Sequence, residues 1–167
     1  MITSQRNNMN IALIIHSQTG NTLTIAQRLK QHLENDNHKV YLLHIKNKDD
    51  ANTMKTPVDI ITYGDLPLTE FDVVIYGGWV QAFGLCLGFS EYLQHHEPQK
   101  SQKVFTYVTQ HFPYAWMGGN RALSQMKSIL VKKNMQVYSF QVFNKTNKNL
   151  EQQIQTWIEK ISRECQK

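Results

Sequence analysis

Ile11-Ala12-Leu13-Ile14-Ile15-His16-Ser17-Gln18-Thr19-Gly20-Asn21-Thr22 reads as an apolar strand, a tight polar loop and the first turn of a helix. The apolar part does not alternate with polar residues, which marks a strand covered on both faces. Beyond the loop the period changes. Ile25, Leu29 and Leu33 recur every four residues with Ala26 beside them, while Arg28, Lys30 and Gln31 fall on the other side, the pattern of an amphipathic helix. Asn35-Asp36-Asn37 closes it. A buried strand that passes through a short loop into a helix is half of a strand–helix–strand unit.

The same alternation continues outward. Val40, Leu42 and Ile45 mark a second strand, and Phe71–Tyr76 a third that Gly77-Gly78 is expected to break. Phe89, Tyr92 and Leu93 suggest a short helix, and Val104–Val108 a fourth strand. Ala122, Leu123, Met126, Ile129 and Leu130 form a helical stripe with Asn120 as its expected N-cap. Val137–Val142 is the fifth strand, and Leu150, Ile154, Trp157, Ile158 and Ile161 carry the last helix. Residues 46–70 are mixed, with room for no more than a short helix. Strands alternating with helices predict an α/β fold: a doubly wound, five-stranded parallel sheet with helices on both faces and right-handed crossovers. Its expected strand order is 2-1-3-4-5. Residues 9–167 form the expected single domain, and the polar, aperiodic residues 1–8 a flexible N-terminal extension.

The bulk properties are those of a globular chain. At 167 residues, a chain buries roughly 70% of its unfolded surface on folding. No apolar run approaches the ~20 residues of a membrane span, and MITSQRNNMN lacks the apolar centre of a secretion signal. A cytoplasmic protein without a membrane partner is expected. Cys86 and Cys165 have no CxxC spacing and are expected to be reduced thiols. Charge is uneven: residues 1–97 hold 7 Lys/Arg against 10 Asp/Glu, and residues 98–167 hold 11 against 3. Lys127, Lys132, Lys133, Lys145 and Lys148 are scattered without a recognition motif, so a solvated basic face is expected rather than a nucleic-acid partner. His95-His96 on a helix end point apart, with no further ligand spaced to complete a metal site.

In such sheets ligands sit beyond the carboxyl ends of the strands near the switch point, which selects three loops: 16–22, 77–84 and 109–119. In the first, Ser17, Gln18, Thr19, Gly20, Asn21 and Thr22 pack hydroxyl and amide side chains around one glycine. Unpaired N–H groups at a helix start and a partial positive charge suit a phosphate. An ordinary N-cap turn is the plainer alternative. A P-loop would need GxxxxGK[ST], which is absent. Response-regulator receivers carry acidic residues at the ends of strands one and three, where this chain has His16 and Gly77. Low-molecular-weight tyrosine phosphatases place a cysteine in the first loop, and this loop has none. No nucleophile–base pair or metal cluster points to a hydrolase.

These residues resemble the flavodoxin family, whose first loop follows Ser/Thr-x-Thr-Gly-x-Thr; Ser17, Thr19, Gly20 and Thr22 match it. Ile15 stands where that family often has an aromatic residue. The resemblance covers about residues 9–164 and implies a flavodoxin-like fold that binds FMN. FMN is expected over FAD because the first loop suits a terminal phosphate monoester. The second loop, Gly78, Trp79, Val80, Gln81, Ala82, Phe83 and Gly84, corresponds to the segment beside the flavin ring. Trp79 and Phe83 are its flat partners or, alternatively, core packing, and Gly78 offers a peptide able to flip. The third loop corresponds to the segment closing the other face of the ring. Its candidates are Thr109, Gln110, His111, Phe112, Tyr114, Trp116, Gly118 and Gly119.

The function implied is a one-electron shuttle with a reductase and an acceptor protein as redox partners, acting as a monomer or weak dimer. An NAD(P)H-dependent FMN or quinone reductase is the alternative. A non-catalytic flavin-binding interaction module is the second. The third loop holds His111 and no carboxylate, and Arg121 follows it. A flavin potential less negative than in acidic relatives is therefore expected.

Overall fold

The computed structural model describes residues 8–47, 60–63, 66, 70–98 and 101–167. Strands β1 (Asn10–His16), β2 (Lys39–Asn47), β4 (Phe71–Gln81), β6 (Ser101–Gln110) and β7 (Val137–Asn144) are joined in parallel, with β1 between β2 and β4 and β6 between β4 and β7. Counting these parallel strands alone, the order is the expected 2-1-3-4-5. Two antiparallel strands enlarge the sheet: β3 (Ile60–Tyr63) pairs with β2, and β5 (Gly84–Leu85) folds back on β4. The helices are α1 (Asn21–Asn35), α2 (Leu87–His95), α3 (Gly119–Lys132) and α4 (Leu150–Cys165).

The apolar strands divide their side chains between two cores, as the two-residue period of a strand requires. Ile11, Leu13 and Ile15 point with Val73, Ile75 and Phe105 toward α1 and α4, meeting Ile25, Leu29, Leu33, Trp157 and Ile161. Ala12 and Ile14 point with Val74, Tyr76 and Val108 toward α2 and α3, meeting Phe89, Leu93, Ala122, Met126 and Leu130. Both cysteines are free and buried, Cys86 in the second core and Cys165 in the first. Burial pushes each thiol up to about 12, so both stay protonated.

Three local expectations are corrected. Gly77-Gly78 does not break the third strand: β4 runs through both glycines to Gln81, with Gly77 paired to Tyr107 and Gly78 to Val108. The glycines provide space. A Cβ on Gly77 would lie 2.4 Å from the Tyr107 ring, and one on Gly78 would lie 2.8 Å from Phe89. Asn120 is not the N-cap of α3; Gly118 is, at φ 120 and without a side-chain cap. A Cβ there would lie 2.6 Å from Val80 and 2.9 Å from the Cα of Phe83, so backbone angle and space both demand glycine. In residues 46–70, where only a short helix had room, Ile60–Tyr63 is instead a strand on the sheet edge. Most of the remainder, with residues 1–7 of the expected extension, lies outside the described residues.

His38, six per cent exposed, accepts the Met9 N–H on Nδ1 at 3.2 Å. Burial holds its pKa below the usual histidine value, against the opposing pull of Asp36 and Asp72. The unfolded chain therefore binds the proton more readily, so His38 stabilises the fold above the ordinary value of ~6.5 and loses that contribution as pH falls below it. Denaturant midpoints should fall over that window, and less in His38→Gln. At Gly77, added volume meets a buried ring, and such overpacking costs ~1–3 kcal/mol. Gly77→Ala should lower unfolding free energy by about that much, and much less when Tyr107 is first shortened to Leu. Equal losses in both backgrounds would show that ring contact is not the cause.

Candidate functional site

The first loop closes on itself before α1 begins. Gly20 takes φ 92, a left-handed conformation, and its N–H donates to the Ser17 hydroxyl at 3.2 Å. The Asn21 side-chain amide donates to the Thr19 hydroxyl at 3.0 Å. Both hydroxyls are thereby held as acceptors, which leaves their own protons available. No side chain caps α1, and its first backbone bond runs from Thr24 N–H to Gly20 C=O at 2.8 Å. Helix geometry leaves the amides of Asn21, Thr22 and Leu23 without an intrahelical carbonyl. Loop and helix end together form a nest of donors of the kind that holds an anion.

Thr22 also ties the loop to the sheet. It is one per cent exposed, and its hydroxyl meets the Thr109 hydroxyl at 2.8 Å and the Gly78 carbonyl at 3.3 Å. The Tyr107 hydroxyl donates to the Thr22 carbonyl at 2.7 Å. Burial keeps the Tyr107 pKa well above the usual tyrosine value, so it remains a donor. These bonds fasten the first turn of α1 to β4 and β6. The Gly78 carbonyl, expected in a mobile peptide, here faces the Thr22 hydroxyl inside the sheet.

Above this bracket lies a cleft of about 370 Å³. Ser17, Gln18, Thr19, Asn21 and Thr22 from the first loop face Trp79 and Val80 from the second, with Thr109, Gln110 and His111 from the third. Trp79 is fixed from beneath: its indole N–H donates to His16 Nδ1 at 3.0 Å, and the rings stack with centroids 6.4 Å apart. That bond requires Nδ1 to be unprotonated. His16, two per cent exposed at the end of β1, is a positioning residue that the sequence reading used only to exclude an acid. His44 on β2 supports the loop from the side, donating from Nε2 to the Ser17 carbonyl at 3.3 Å. Burial lowers its pKa, partly offset by that bond.

The cleft continues between α1 and α4, past the residues expected from sequence. Thr24, Ile25 and Arg28 line it from α1; Phe143, Lys145, Leu150, Glu151 and Ile154 line it from the end of β7 and the start of α4. Arg28 donates to Glu151 at 2.8 Å. A signal existed for both cations: Arg28 is one turn beyond Thr24 on the same helix face, and Lys145 follows the carboxyl end of β7.

Other candidates lie apart from the cleft. Ala82 and Phe83 form the two-residue turn between β4 and β5, with φ 46 and 63. Phe83 stacks on Phe112, not on the cleft wall, with centroids 5.2 Å apart. Tyr114 and Trp116 stack on each other and are exposed. Gln81 accepts the Leu87 N–H at the start of α2, and Gly84 lies against Gln125. Gly118 and Gly119 begin α3. His95 pairs with Glu91 while His96 stacks on Tyr92, and no group of metal-binding side chains occurs among the described residues. No described helix is long and apolar enough to cross a membrane.

No protein-family model matches the chain, and no curated protein sequence does. Solved structures match throughout. A flavoprotein in complex with FMN from Lactobacillus acidophilus NCFM has a TM-score of 0.64 at 11% identity, over 89% of this chain and 98% of that one. A flavodoxin from the domain Archaea has 0.61 at 14%, over 95% and 100%. The Streptococcus pneumonia TIGR4 flavodoxin has 0.59 at 12%, over 93% and 99%. The fold is flavodoxin-like.

Removing the Thr22 hydroxyl leaves the Thr109 hydroxyl and Gly78 carbonyl short of a buried partner, a loss of ~1–3 kcal/mol. Thr22→Val should lower unfolding free energy by that amount in the ligand-free protein. Ser17→Ala, which gives up the one bond from the Gly20 N–H at 3.2 Å, should lower it by less than half as much. A neutral Thr22→Val would remove the bracket from this account of the site.

Proposed function

We propose that the chain is an FMN-binding electron-transfer protein that exchanges single electrons with partner proteins. The observation that carries this reading is the row of leftover amides at α1, flanked by the Ser17 and Thr19 hydroxyls and facing a cleft whose far wall is the fixed Trp79 ring. The residues fit the cofactor on three counts. The donors suit a terminal phosphate without a cation in the loop itself. A flat indole suits a flat tricyclic ring. A volume of about 370 Å³ lies within the ~300–1,000 Å³ typical of small-molecule sites.

Ser17, Thr19 and the α1 amides would hold the phosphate, with Gln18 and Asn21 beside it. Trp79 and Val80 would bound the ring on one side, and Thr109, Gln110 and His111 on the other. Ile25, Phe143, Leu150 and Ile154 would exclude water from the inner end. Bound FMN supplies the redox chemistry, and the protein supplies binding, orientation and electrostatics. Among those electrostatic groups Lys145 lines the cleft, whereas Arg121, the cation expected from sequence, is on the exposed side of α3. An exposed cation at the edge of such a cleft would be worth ~0.5–1 kcal/mol in a mostly aqueous dielectric, or about 20–40 mV for one electron.

The purified chain should bind FMN 1:1 with strong quenching of flavin fluorescence. Ser17→Ala with Thr19→Val should weaken binding at least about tenfold, since hydrogen bonds to a charged group are worth ~1.5–3 kcal/mol each. Lys145→Gln should lower the second reduction potential by about 20–40 mV at low salt and less at high salt. The holoprotein should consume NADH and NADPH only slowly with a quinone present. Rapid turnover without a partner protein would assign a reductase instead, and no FMN binding would end the flavin reading.

A further inference from the structure

The carboxyl end of the sheet carries one feature that the flavin reading leaves unused and a second that it uses only in part. One is a group of exposed aromatic rings: Phe83 is 51% exposed, Phe112 37%, Tyr114 59% and Trp116 73%. The rings are ordered in two stacks, Phe83 on Phe112 with 15° between planes and Tyr114 on Trp116 with 7°. Hydrogen bonds fix the backbone beneath them. Gln110, four per cent exposed, donates from Nε2 to the Phe112 carbonyl at 2.8 Å and to the Tyr114 carbonyl at 2.7 Å. Met117 N–H returns to Tyr114, and Asn120 N–H to Ala115, both at 2.9 Å. Phe83 is held at φ 63 beside Ala82 at φ 46, a left-handed pair that is strained outside glycine. A loop that holds large apolar rings rigid in solvent, with strain in the neighbouring turn, is a surface organised for contact.

The second feature is charge. Of the Lys/Arg in residues 98–150, which contain no Asp/Glu, Arg121, Lys145 and Lys148 lie at this end, and residues 73–90 contain no charged residue. His111 lies in the aromatic loop, Arg121 in the first turn of α3 beyond it, and Lys145 donates its backbone N–H to the Gln110 carbonyl at 2.8 Å. Lys148 follows in the same loop as Lys145. At this end of the sheet, among the described residues, the one carboxylate is Glu151, already bonded to Arg28. An aromatic centre with a cationic rim is the composition of a protein-docking surface.

We infer that this rim docks the acidic surface of a partner protein, the aromatic stacks forming the contact and the cations steering it. Charge complementarity selects the partner. A second copy would bring cation against cation, and a basic protein would be repelled. The rings are stacked on each other and the cations stand apart around them, so the surface offers no continuous basic groove for a single-stranded nucleic acid backbone. The inference rests on the flavin reading at one point only, that the docked protein exchanges electrons; docking itself belongs to the surface.

The test uses the FMN-free chain and, separately, its FMN complex. Each is titrated with a strongly acidic plant-type [2Fe–2S] ferredoxin, with a basic c-type cytochrome and with a 15-mer oligothymidylate, at 20 and 300 mM NaCl. Binding to ferredoxin is expected at low salt and should weaken at least about tenfold at 300 mM. Trp116→Ala and Tyr114→Ala should each weaken it about fivefold or more with Tm unchanged, and Arg121→Glu with Lys148→Glu should abolish it. Equal or tighter binding of the cytochrome, tighter binding of the oligonucleotide, or ferredoxin binding indifferent to salt and to these variants would each overturn the proposal. So would absence of ferredoxin binding by a chain that binds FMN. Salt-dependent ferredoxin binding by a chain that fails to bind FMN would uphold the docking surface and overturn the flavin reading alone.

Discussion

The site depends on the absence of a side chain at Gly77. Because nothing projects there, the Tyr107 ring lies across β4 and brings its hydroxyl to the Thr22 carbonyl. Thr22 in turn places its hydroxyl between Thr109 and Gly78. Two strands, β4 and β6, and the first turn of α1 are thus joined by buried polar groups that satisfy one another. Polar groups that deep are tolerable only when paired, so the arrangement is held as a unit. The donor nest in the first loop inherits its position from it. With α1 fixed at its first turn, the leftover amides point at the cleft without any contribution from their own side chains.

The same logic places the second wall. Trp79 is half-buried at the end of β4, and its orientation follows from His16 at the end of β1, its parallel neighbour. An indole N–H in an apolar setting needs an acceptor, and a neutral imidazole supplies one. The third loop is braced by one amide, Gln110, whose nitrogen serves two carbonyls. The second and third loops are therefore each held by a residue at a strand end, His16 and Gln110.

Electrostatics gives the surface its direction. Described carboxylates such as Glu34, Asp36, Asp72 and Glu164 lie toward the amino ends of the strands, and among the described residues the carboxyl ends carry histidine, lysine and arginine with Glu151, which is bonded to Arg28. A net charge of +5 says little about where an approaching molecule feels it; the placement does.

Periodicity and loop chemistry alone determined the architecture. The unbroken apolar run at Ile11–Ile15, the four-residue recurrence at Ile25, Leu29 and Leu33, and the crowd of small polar residues around Gly20 are local signals, each read within one element. They were enough for the parallel order and for the first loop. Tertiary structure decided everything that depends on two elements meeting. Gly77 reads as a breaker until the Tyr107 ring is opposite it, and Asn120 reads as a cap until Phe83 closes on Gly118. Thr22 reads as one more hydroxyl of the first loop, and only the fold brings Thr109 within 2.8 Å of it. Arg28 and Lys145 lie more than a hundred residues apart and share a cleft only because α1 and the end of β7 are brought together. Propensity is a property of neighbours along the chain, whereas the role of a glycine, a hydroxyl or a cation is set by what the fold packs against it.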